Sequence, residues 1–332
     1  MNQLTQSLKT YCIGRYLIDM PDDALSRGDA TIQGISFEAK RVTLDAFSRE
    51  LNAYELSLKS RKNRYGYRVL YDYGRVPGLQ NGRYFVALDD PDATSDSGRK
   101  IEAYKWDAGY SIKIWTDAVD SINSEFEVRM KGAPYEMKNW KVNDVPEKKS
   151  LILSFAASVR GRSDDEIPQD PGVCFESGFL PRKAAIGEDV SAFFALKSNT
   201  DVSFKLSTDT DLKELPKDTL LSRLPEIRAL IRDPNTNGHI VRSGSVDING
   251  IKAEELLLSG VTASRVPGHS FALQANAATS GAMSPYIGLD MSNGDCNNFT
   301  GNSIKQASLT EGEAVELWDR ISRTLRPRPG AF

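Results

Sequence analysis

The alternation of apolar and polar residues predicts a chain built mainly of short strands with a few amphipathic helices between them. Apolar side chains recur at steps of three and four in one early segment, which places them on a single helical face. The residues of this face are Leu44, Phe47, Leu51, Tyr54 and Leu58. Residues 30–39, 101–106, 110–115 and 126–130 are predicted to be strands from their alternating or apolar runs.

Turn and capping signals in the sequence predict two hairpins and further helix starts. Asn81-Gly82 and Asn249-Gly250 each separate two apolar runs, which predicts two hairpins. Capping-box spacing at 144–147 and 310–313 predicts the start of a helix near the end of each half. A further helical face covers 220–231, where Pro225 requires either a kink or a helix start nearby.

Several landmarks occur twice in the same order. Cys12-Ile-Gly-Arg-Tyr-Leu-Ile-Asp-Met-Pro21 opens the chain, and Cys174-Phe-Glu-Ser-Gly-Phe-Leu-Pro181 lies 162 residues later (174 − 12). The two Asn-Gly turns are 168 residues apart (249 − 81), and the two capping glutamates, Glu147 and Glu313, are 166 apart. Similar offsets favour an internal duplication over coincidence.

We therefore predict an α+β fold of two similar domains, each a mainly antiparallel sheet with two helices packed on it. The domains are expected at 1–162 and 172–332. A short linker at 163–171 joins them, since this stretch is polar, contains proline and has no periodicity. Its acidic residues are expected to keep it solvated rather than packed.

Length and charge exclude several classes of protein. A chain of 332 residues is large enough for two hydrophobic cores. A net charge of −3 without a basic excess argues against a nucleic-acid partner. No apolar run is long enough for a membrane span. The first ten residues are polar and lack the apolar centre of a signal peptide, which indicates either a cytoplasmic protein or a trimmed signal.

The chain is poor in reactive groups, so we predict no catalytic, metal or cofactor site. His239 and His269 are the two histidines, and both are expected at the surface near loop edges. Calcium-like starts occur at 209–211 and 290–295, but neither has the glutamate that closes such a loop, so polar turns are the better interpretation.

The three cysteines are too few for a disulfide framework. Cys12 and Cys174 occupy equivalent positions, so each is expected to be a small buried hydrophobe in its own domain. The alternative is a disulfide between Cys174 and Cys296 in an oxidising compartment.

An acidic loop between two predicted strands is the one candidate for partner binding. It contains Asp89, Asp90, Asp92 and Asp96. A solvated loop is the simpler interpretation, and a partner-facing acidic patch is the alternative.

With these segments in view, the sequence resembles two-domain immunity proteins of the type VI secretion system, cognate to the fourth class of phospholipase effectors. The resemblance rests on the Cys12–Pro21 segment, on Gly172-Val-Cys-Phe-Glu-Ser-Gly-Phe-Leu-Pro181 and on the closing 318–325 helix. It implies a claw-like, non-enzymatic periplasmic inhibitor that grips the lipase and blocks opening of its lid or substrate access. The resemblance also implies a monomer that forms a 1:1 heterodimer with its effector.

Two other classes of function stay open at this point. One is a hydrolase with an unrecognised carboxylate site. The other is an envelope- or carbohydrate-binding module, which predicts exposed aromatic side chains rather than charged loops.

Overall fold

A computed structural model describes residues 4, 6–132, 141–232, 237–295 and 304–332. The strands are β1 Leu8–Ile13, β2 Tyr16–Pro21, β3 Ala24–Ile32, β4 Ile35–Arg41, β5 Leu70–Arg75, β6 Gly82–Leu88, β7 Gly98–Asp107, β8 Tyr110–Val119, β9 Arg160–Gly161, β10 Gly172–Phe175, β11 Gly178–Pro181, β12 Glu188–Leu196, β13 Val202–Asp209, β14 His239–Ile248, β15 Ile251–Val261, β16 Pro267–Ala275, β17 Tyr286–Asn293 and β18 Arg326–Pro327. The helices are α1 Leu44–Ser60, α2 Glu125–Arg129, α3 Val145–Ser158, α4 Leu224–Ile231 and α5 Glu311–Ser322. This confirms the predicted α+β class with mainly antiparallel sheets.

The chain folds into two compact units that do not follow it continuously. The first unit contains residues 1–33, 164–176 and 181–332, and the second contains 34–163 and 177–180. The N-terminal strands therefore belong with the C-terminal half. The domain boundaries 1–162 and 172–332 and the duplication remain predictions.

The first unit is built on an antiparallel sheet in the order β14-β15-β16-β17-β13-β12-β3. β3 pairs with β12 over nine residues of each strand, so the N-terminal segment is a structural strand of this sheet. Helix α5 packs on β16 and β17 through Trp318, whose fully buried ring lies 6.0 Å from that of Phe271. The capping box of Thr310 and Glu313 is confirmed at the start of α5.

The second unit has a five-stranded antiparallel sheet in the order β4-β8-β7-β6-β5. The predicted α1 face is confirmed for Phe47, Leu51 and Leu58, which are buried against this sheet, and for the partly buried Tyr54, which packs on them. Leu44 is 37% exposed, so its predicted place on the buried face is wrong. Helix α3 packs on β7 and β8. A helix starts here as predicted, with Asp144 as its N-cap residue, but the expected capping box is wrong because Asp144 makes no side-chain capping hydrogen bond. The Asp144 carboxylate instead accepts a hydrogen bond from the backbone N–H of Val119, 2.7 Å away.

A disulfide joins Cys12 to Cys174, with 5.7 Å between their Cα atoms. The expectation of two separate buried thiols is therefore wrong. Because Cys174 is bonded to Cys12, it cannot form the alternative disulfide with Cys296, a residue that lies outside the described residues. Backbone hydrogen bonds between Gly14 and Cys174, 2.8 and 2.9 Å long, bring the two cysteine segments together. Residues 162 positions apart thus meet within the first unit.

The expectation of a fully solvated linker is also wrong. Arg328, only 1% exposed, donates hydrogen bonds to the carbonyl oxygens of Pro168, Asp170 and Gly172 at 2.6–2.9 Å. Three carbonyls held by one buried guanidinium fix the backbone of this segment, although Asp165 and Glu166 remain exposed.

Two local predictions differ from the structure, and a third, which left two alternatives, is decided by it. Residues 126–130 form most of α2 and its end, not a strand. Residues 30–39 are two strands, because Gln33 and Gly34 both adopt positive φ (52° and 72°) and reverse the chain. Pro225 lies in the first turn of α4, which confirms a helix start there rather than a kink.

Candidate partner-binding site

The acidic loop, residues 89–97, connects β6 to β7 in the second unit. Asn63, which follows α1, fixes the loop by donating hydrogen bonds to the carbonyl oxygens of Pro91 (2.7 Å) and Ala93 (3.0 Å). Because Asn63 is itself buried, the loop backbone is held against the body of the unit. The backbone that carries the loop side chains is thus fixed relative to the rest of the second unit.

Asp96 is a structural residue of this loop. Its side chain is buried, at 2% exposure, and accepts hydrogen bonds from the Ser124 hydroxyl (2.6 Å) and the backbone N–H groups of Glu125 (3.1 Å) and Phe126 (3.0 Å). These donors lie at the start of α2, where unpaired N–H groups need an acceptor.

Burial alone would raise the pKa of the Asp96 carboxyl. The hydrogen bonds from Ser124, Phe126 and Glu125, with the nearby Arg99 guanidinium, outweigh burial and hold this pKa below its ordinary value. Asp96 is therefore a charged cap for α2.

Three carboxylates of the loop remain at the surface: Asp89, Asp90 and Asp92. The Asp89 side chain accepts from the N–H of Asp90 at 2.7 Å, and that of Asp90 accepts from the N–H of Asp92 at 2.9 Å. These hydrogen bonds form turns within the loop, and all three residues remain exposed. Contact of the four predicted aspartates with a partner stays a prediction, and the geometry favours the three exposed ones.

A network of charged side chains lies in the first unit around the buried carboxylate of Glu255. Its oxygens accept from Trp318 Nε1 (2.7 Å), Arg242 Nε (2.8 Å) and Arg323 Nη1 (2.9 Å). Burial would raise the pKa of Glu255, but these three donors together lower it. A carboxylate held ionised by two arginines and an indole serves structure rather than proton transfer.

The two histidines occupy different environments. His239 is exposed as predicted, with its Nε2 2.7 Å from the Glu311 carboxylate. His269 is buried, and its Nδ1 lies 2.8 Å from the Asn293 side-chain oxygen, so its predicted surface position is wrong. The error arises because β16 begins at Pro267 and carries His269 into the sheet. Among the described residues, no group of three or more His, Cys, Asp or Glu side chains could hold a metal ion.

The calcium-like segments have ordinary structural roles. Asp209 accepts from the N–H groups of Asp211 (2.6 Å) and Leu212 (2.9 Å), which is the expected polar turn. Asp290 lies within β17 rather than in a turn. Asp295 accepts hydrogen bonds from the N–H and hydroxyl of Ser264.

Both halves of the chain match family models. The N-terminal domain of Tle cognate immunity protein 4 matches residues 9–162, and the C-terminal domain of the same protein matches residues 166–330. A comparison with curated proteins finds none that matches.

Solved structures share the fold over the whole chain. A chain in the crystal structure of the Tle4-Tli4 complex has a TM-score of 0.76 at 17% identity, covering 100% of each chain. The apo structure of the immunity protein TplEi of the type VI secretion system from Pseudomonas aeruginosa has a TM-score of 0.73 at 17% identity, covering 99% of this chain and 100% of that one. The same protein complexed with an "L" peptide has a TM-score of 0.69 at 18% identity, covering 97% and 98%.

The two family models together extend over nearly the entire sequence, in the order of the family. The two matching families and the similar chains are immunity proteins, not enzymes. This chain therefore belongs to the family of Tle cognate immunity protein 4.

Proposed function

We propose that the protein binds and neutralises a phospholipase effector of the type VI secretion system, as a monomer that forms a 1:1 complex with it. The observation that carries this proposal is the match of both family models, which account for residues 9–162 and 166–330. A similar chain has been solved in a Tle4-Tli4 complex, which supports a stable complex as the mode of action.

The proposed mechanism is a grip on the lipase by both predicted domains, 1–162 and 172–332, that blocks opening of the lid or access of substrate. A partner held at two surfaces gains affinity because the second contact becomes intramolecular.

The exposed carboxylates Asp89, Asp90 and Asp92 are proposed to speed the encounter with a basic surface of the lipase. Charges at the edge of an interface act mainly on the association rate. Asp96 takes part indirectly, by fixing the loop that carries them.

We propose a periplasmic location. The Cys12–Cys174 disulfide supports it, because such bonds form and persist in oxidising compartments and are rare in the cytosol. No helix in the described part of the chain is long and apolar enough to cross a membrane.

Hydrogen exchange on the full-length protein tests the grip. We expect that saturating amounts of the cognate lipase slow amide exchange in both 34–163 and 181–332, and that exchange in the lid segment of the lipase slows as well. Hydrolysis of a phospholipid substrate is measured in the same samples.

Protection confined to one of the two ranges, with full inhibition of hydrolysis, would disprove the two-domain grip and leave the immunity function intact. A lid segment that exchanges as fast in the inhibited complex as in the free lipase would disprove lid blocking. A non-cognate lipase is the control, and no protection is expected with it.

A further inference from the structure

A basic segment lies at the end of α1 in the second unit. Residues 59–68 read Lys-Ser-Arg-Lys-Asn-Arg-Tyr-Gly-Tyr-Arg, with five cationic side chains and no acidic one in a protein whose net charge is −3. All five cationic residues are exposed: Lys59, Arg61, Lys62, Arg64 and Arg68. Such a concentration of charge is unexpected for this composition and needs a physical reason.

The fold explains only part of this charge. Lys59 and Arg61 lie at the C-terminal end of α1, where cations are favoured by the helix dipole. Lys59 also pairs with Glu55 at 2.6 Å. Arg64 and Arg68 lie beyond the helix. Across the described ranges, no carboxylate lies within ion-pair distance of Arg61, Lys62, Arg64 or Arg68.

The neighbouring acidic loop forms no ion pair with the segment among the described residues. Its backbone is bound by Asn63, yet the carboxylates of Asp89 and Asp90 accept hydrogen bonds from their own loop. Asp96 is buried at the start of α2.

Arg64 donates a hydrogen bond to the Tyr65 hydroxyl at 2.7 Å, and Arg68 donates one to the carbonyl oxygen of Leu70. These neutral acceptors leave the positive charge of Arg61, Lys62, Arg64 and Arg68 without a balancing ion pair in the described part of the chain.

The segment borders a groove that combines charge with exposed apolar surface. The groove has a volume of about 470 Å³ and is lined by Arg61, Lys62, Arg68, Tyr67 and Tyr73, among others. Tyr73 is 43% exposed, and Lys59 lies 4.4 Å from the centre of its ring.

Two further side chains extend this surface. Tyr65 is 41% exposed, and Arg64 packs over its ring at 4.7 Å. Leu56, on the adjacent turn of α1, is 66% exposed.

Tyrosines with an apolar ring and a polar tip, long cationic side chains and an exposed leucine are the side chains that proteins place at a lipid–water interface. Clusters of four or more exposed cations next to such residues attract the negative surface of a bilayer. We propose that the surface formed by residues 56–75 docks the protein peripherally on an anionic phospholipid bilayer, with lipid phosphates in the groove.

This proposal goes beyond inhibition of the lipase and does not depend on it. Peripheral docking would hold the inhibitor at the surface that a phospholipase attacks. Because the attraction is electrostatic, the bound fraction should fall steeply with added salt.

Vesicle co-sedimentation tests the proposal with full-length protein. Vesicles of phosphatidylcholine with and without phosphatidylglycerol are compared at low and physiological salt. The wild type should bind only the vesicles with phosphatidylglycerol. The triple variant R61Q/K62Q/R64Q should lose about fivefold in partitioning for each charge removed, or about one hundredfold in total.

The matched control K183Q/K213Q/K217Q removes the same charge from exposed positions of the first unit and should bind as the wild type does. The conservative variant R61K/R64K should also bind, because it keeps the charge. Inhibition of the lipase with a soluble substrate is measured for every variant and should be unchanged.

Three results would overturn the proposal. Equal binding of the wild type to both vesicle types excludes a role for anionic lipid. An equal loss in the control variant shows a net-charge effect without a site. Loss of lipase inhibition by R61Q/K62Q/R64Q with vesicle binding retained assigns the groove to the effector instead.

Discussion

At the residue scale, Glu255 shows how a buried charge is stabilised in the first unit. It is 1% exposed, whereas the side chains of its partners Arg242 and Arg323 remain 37% and 36% exposed. The second carboxylate of the group, Asp319, pairs with Arg242 through Nη1 at 3.0 Å. The network ties β14 and β15 to α5.

Replacing Glu255 with Gln should lower the free energy of unfolding by about 2–4 kcal/mol. This is less than the roughly 3–5 kcal/mol for breaking a fully buried pair, because solvent screens the two exposed arginines. Urea unfolding at neutral pH measures the change. The control Glu226→Gln, on the exposed face of α4, should change stability by less than about 0.5 kcal/mol.

The same substitution should change how the free energy of unfolding depends on pH in the acidic range. The folded-state pKa of Glu255 is lowered, so its contribution is present above the unfolded-state pKa and is lost as the pH falls through the folded-state value. The difference between wild type and Glu255→Gln should therefore shrink in acid. A difference that stays constant from neutral to acid pH would contradict this assignment.

The Cys12–Cys174 disulfide makes a second prediction at this scale. It closes a long loop of 162 residues, so its loss should lower the free energy of unfolding by about 2–5 kcal/mol. Denaturant unfolding of wild type and of the double variant C12A/C174A measures this loss. Cys12 and Cys174 are both fully buried, so mild reductant should leave the disulfide of the folded protein intact.

Thiol titration of the unfolded, unreduced protein is the check on the pairing. One free thiol is expected from the three cysteines. Three free thiols in protein purified without reductant would contradict the disulfide.

At the element scale, the acidic loop and α2 form one cooperative structure through Asp96. The substitution Asp96→Ala removes four hydrogen bonds to a buried carboxylate, from Tyr71, Ser124, Glu125 and Phe126, and should lower stability by about 1–3 kcal/mol. Asp92→Ala on the same loop is the matched control and should be nearly neutral, because Asp92 is exposed. Equal effects of the two substitutions in thermal unfolding would contradict the capping role of Asp96.

The exposed part of the loop has a separate expected effect. The triple variant D89N/D90N/D92N should associate with the lipase more slowly, and its association rate should depend less on salt, while the dissociation rate changes little. Stopped-flow mixing over a series of salt concentrations measures both rates. The variant D117N/D170N/D211N removes the same charge elsewhere and should associate at the wild-type rate.

Elements whose signals are local could be predicted from sequence. The five spaced apolar residues predict α1, and Asn249-Gly250, both with positive φ, predicts the β14–β15 hairpin. Residues 126–130 were wrongly predicted as a strand, although the helix start is local: Ser124 is the N-cap of α2 and accepts from the N–H of Glu127 at 3.2 Å. Only the contribution of Asp96, nearly thirty positions earlier, depends on tertiary structure. The disulfide was missed because the pairing of Cys12 with Cys174 depends on tertiary structure.

The candidate site was only partly predictable. Composition alone marks residues 89–96 as acidic, but it cannot separate the buried Asp96 from the exposed Asp89, Asp90 and Asp92. The distinction comes from Ser124, which is distant in sequence.

The basic segment 59–68 is visible in the sequence as a charge run. Only the structure shows that Lys59 is paired with Glu55, whereas Arg61, Lys62, Arg64 and Arg68 form no ion pair among the described residues.

At the scale of the whole molecule, the interleaved units constrain how function can be tested. A cut within 163–171, with the two halves produced as separate polypeptides, would place β3 and its nine-residue partner β12 on different chains and separate Cys12 from Cys174. The two halves of such a cut would not contain a complete first unit. Experiments on the mechanism therefore require the intact chain.

The most direct test of the central claim is calorimetric titration of the intact protein into its cognate phospholipase, with phospholipid hydrolysis assayed at each step. We expect a 1:1 end point, with hydrolysis falling in proportion to the complex formed and reaching background at equivalence. Absence of binding, or saturated binding with hydrolysis unchanged, would contradict the account.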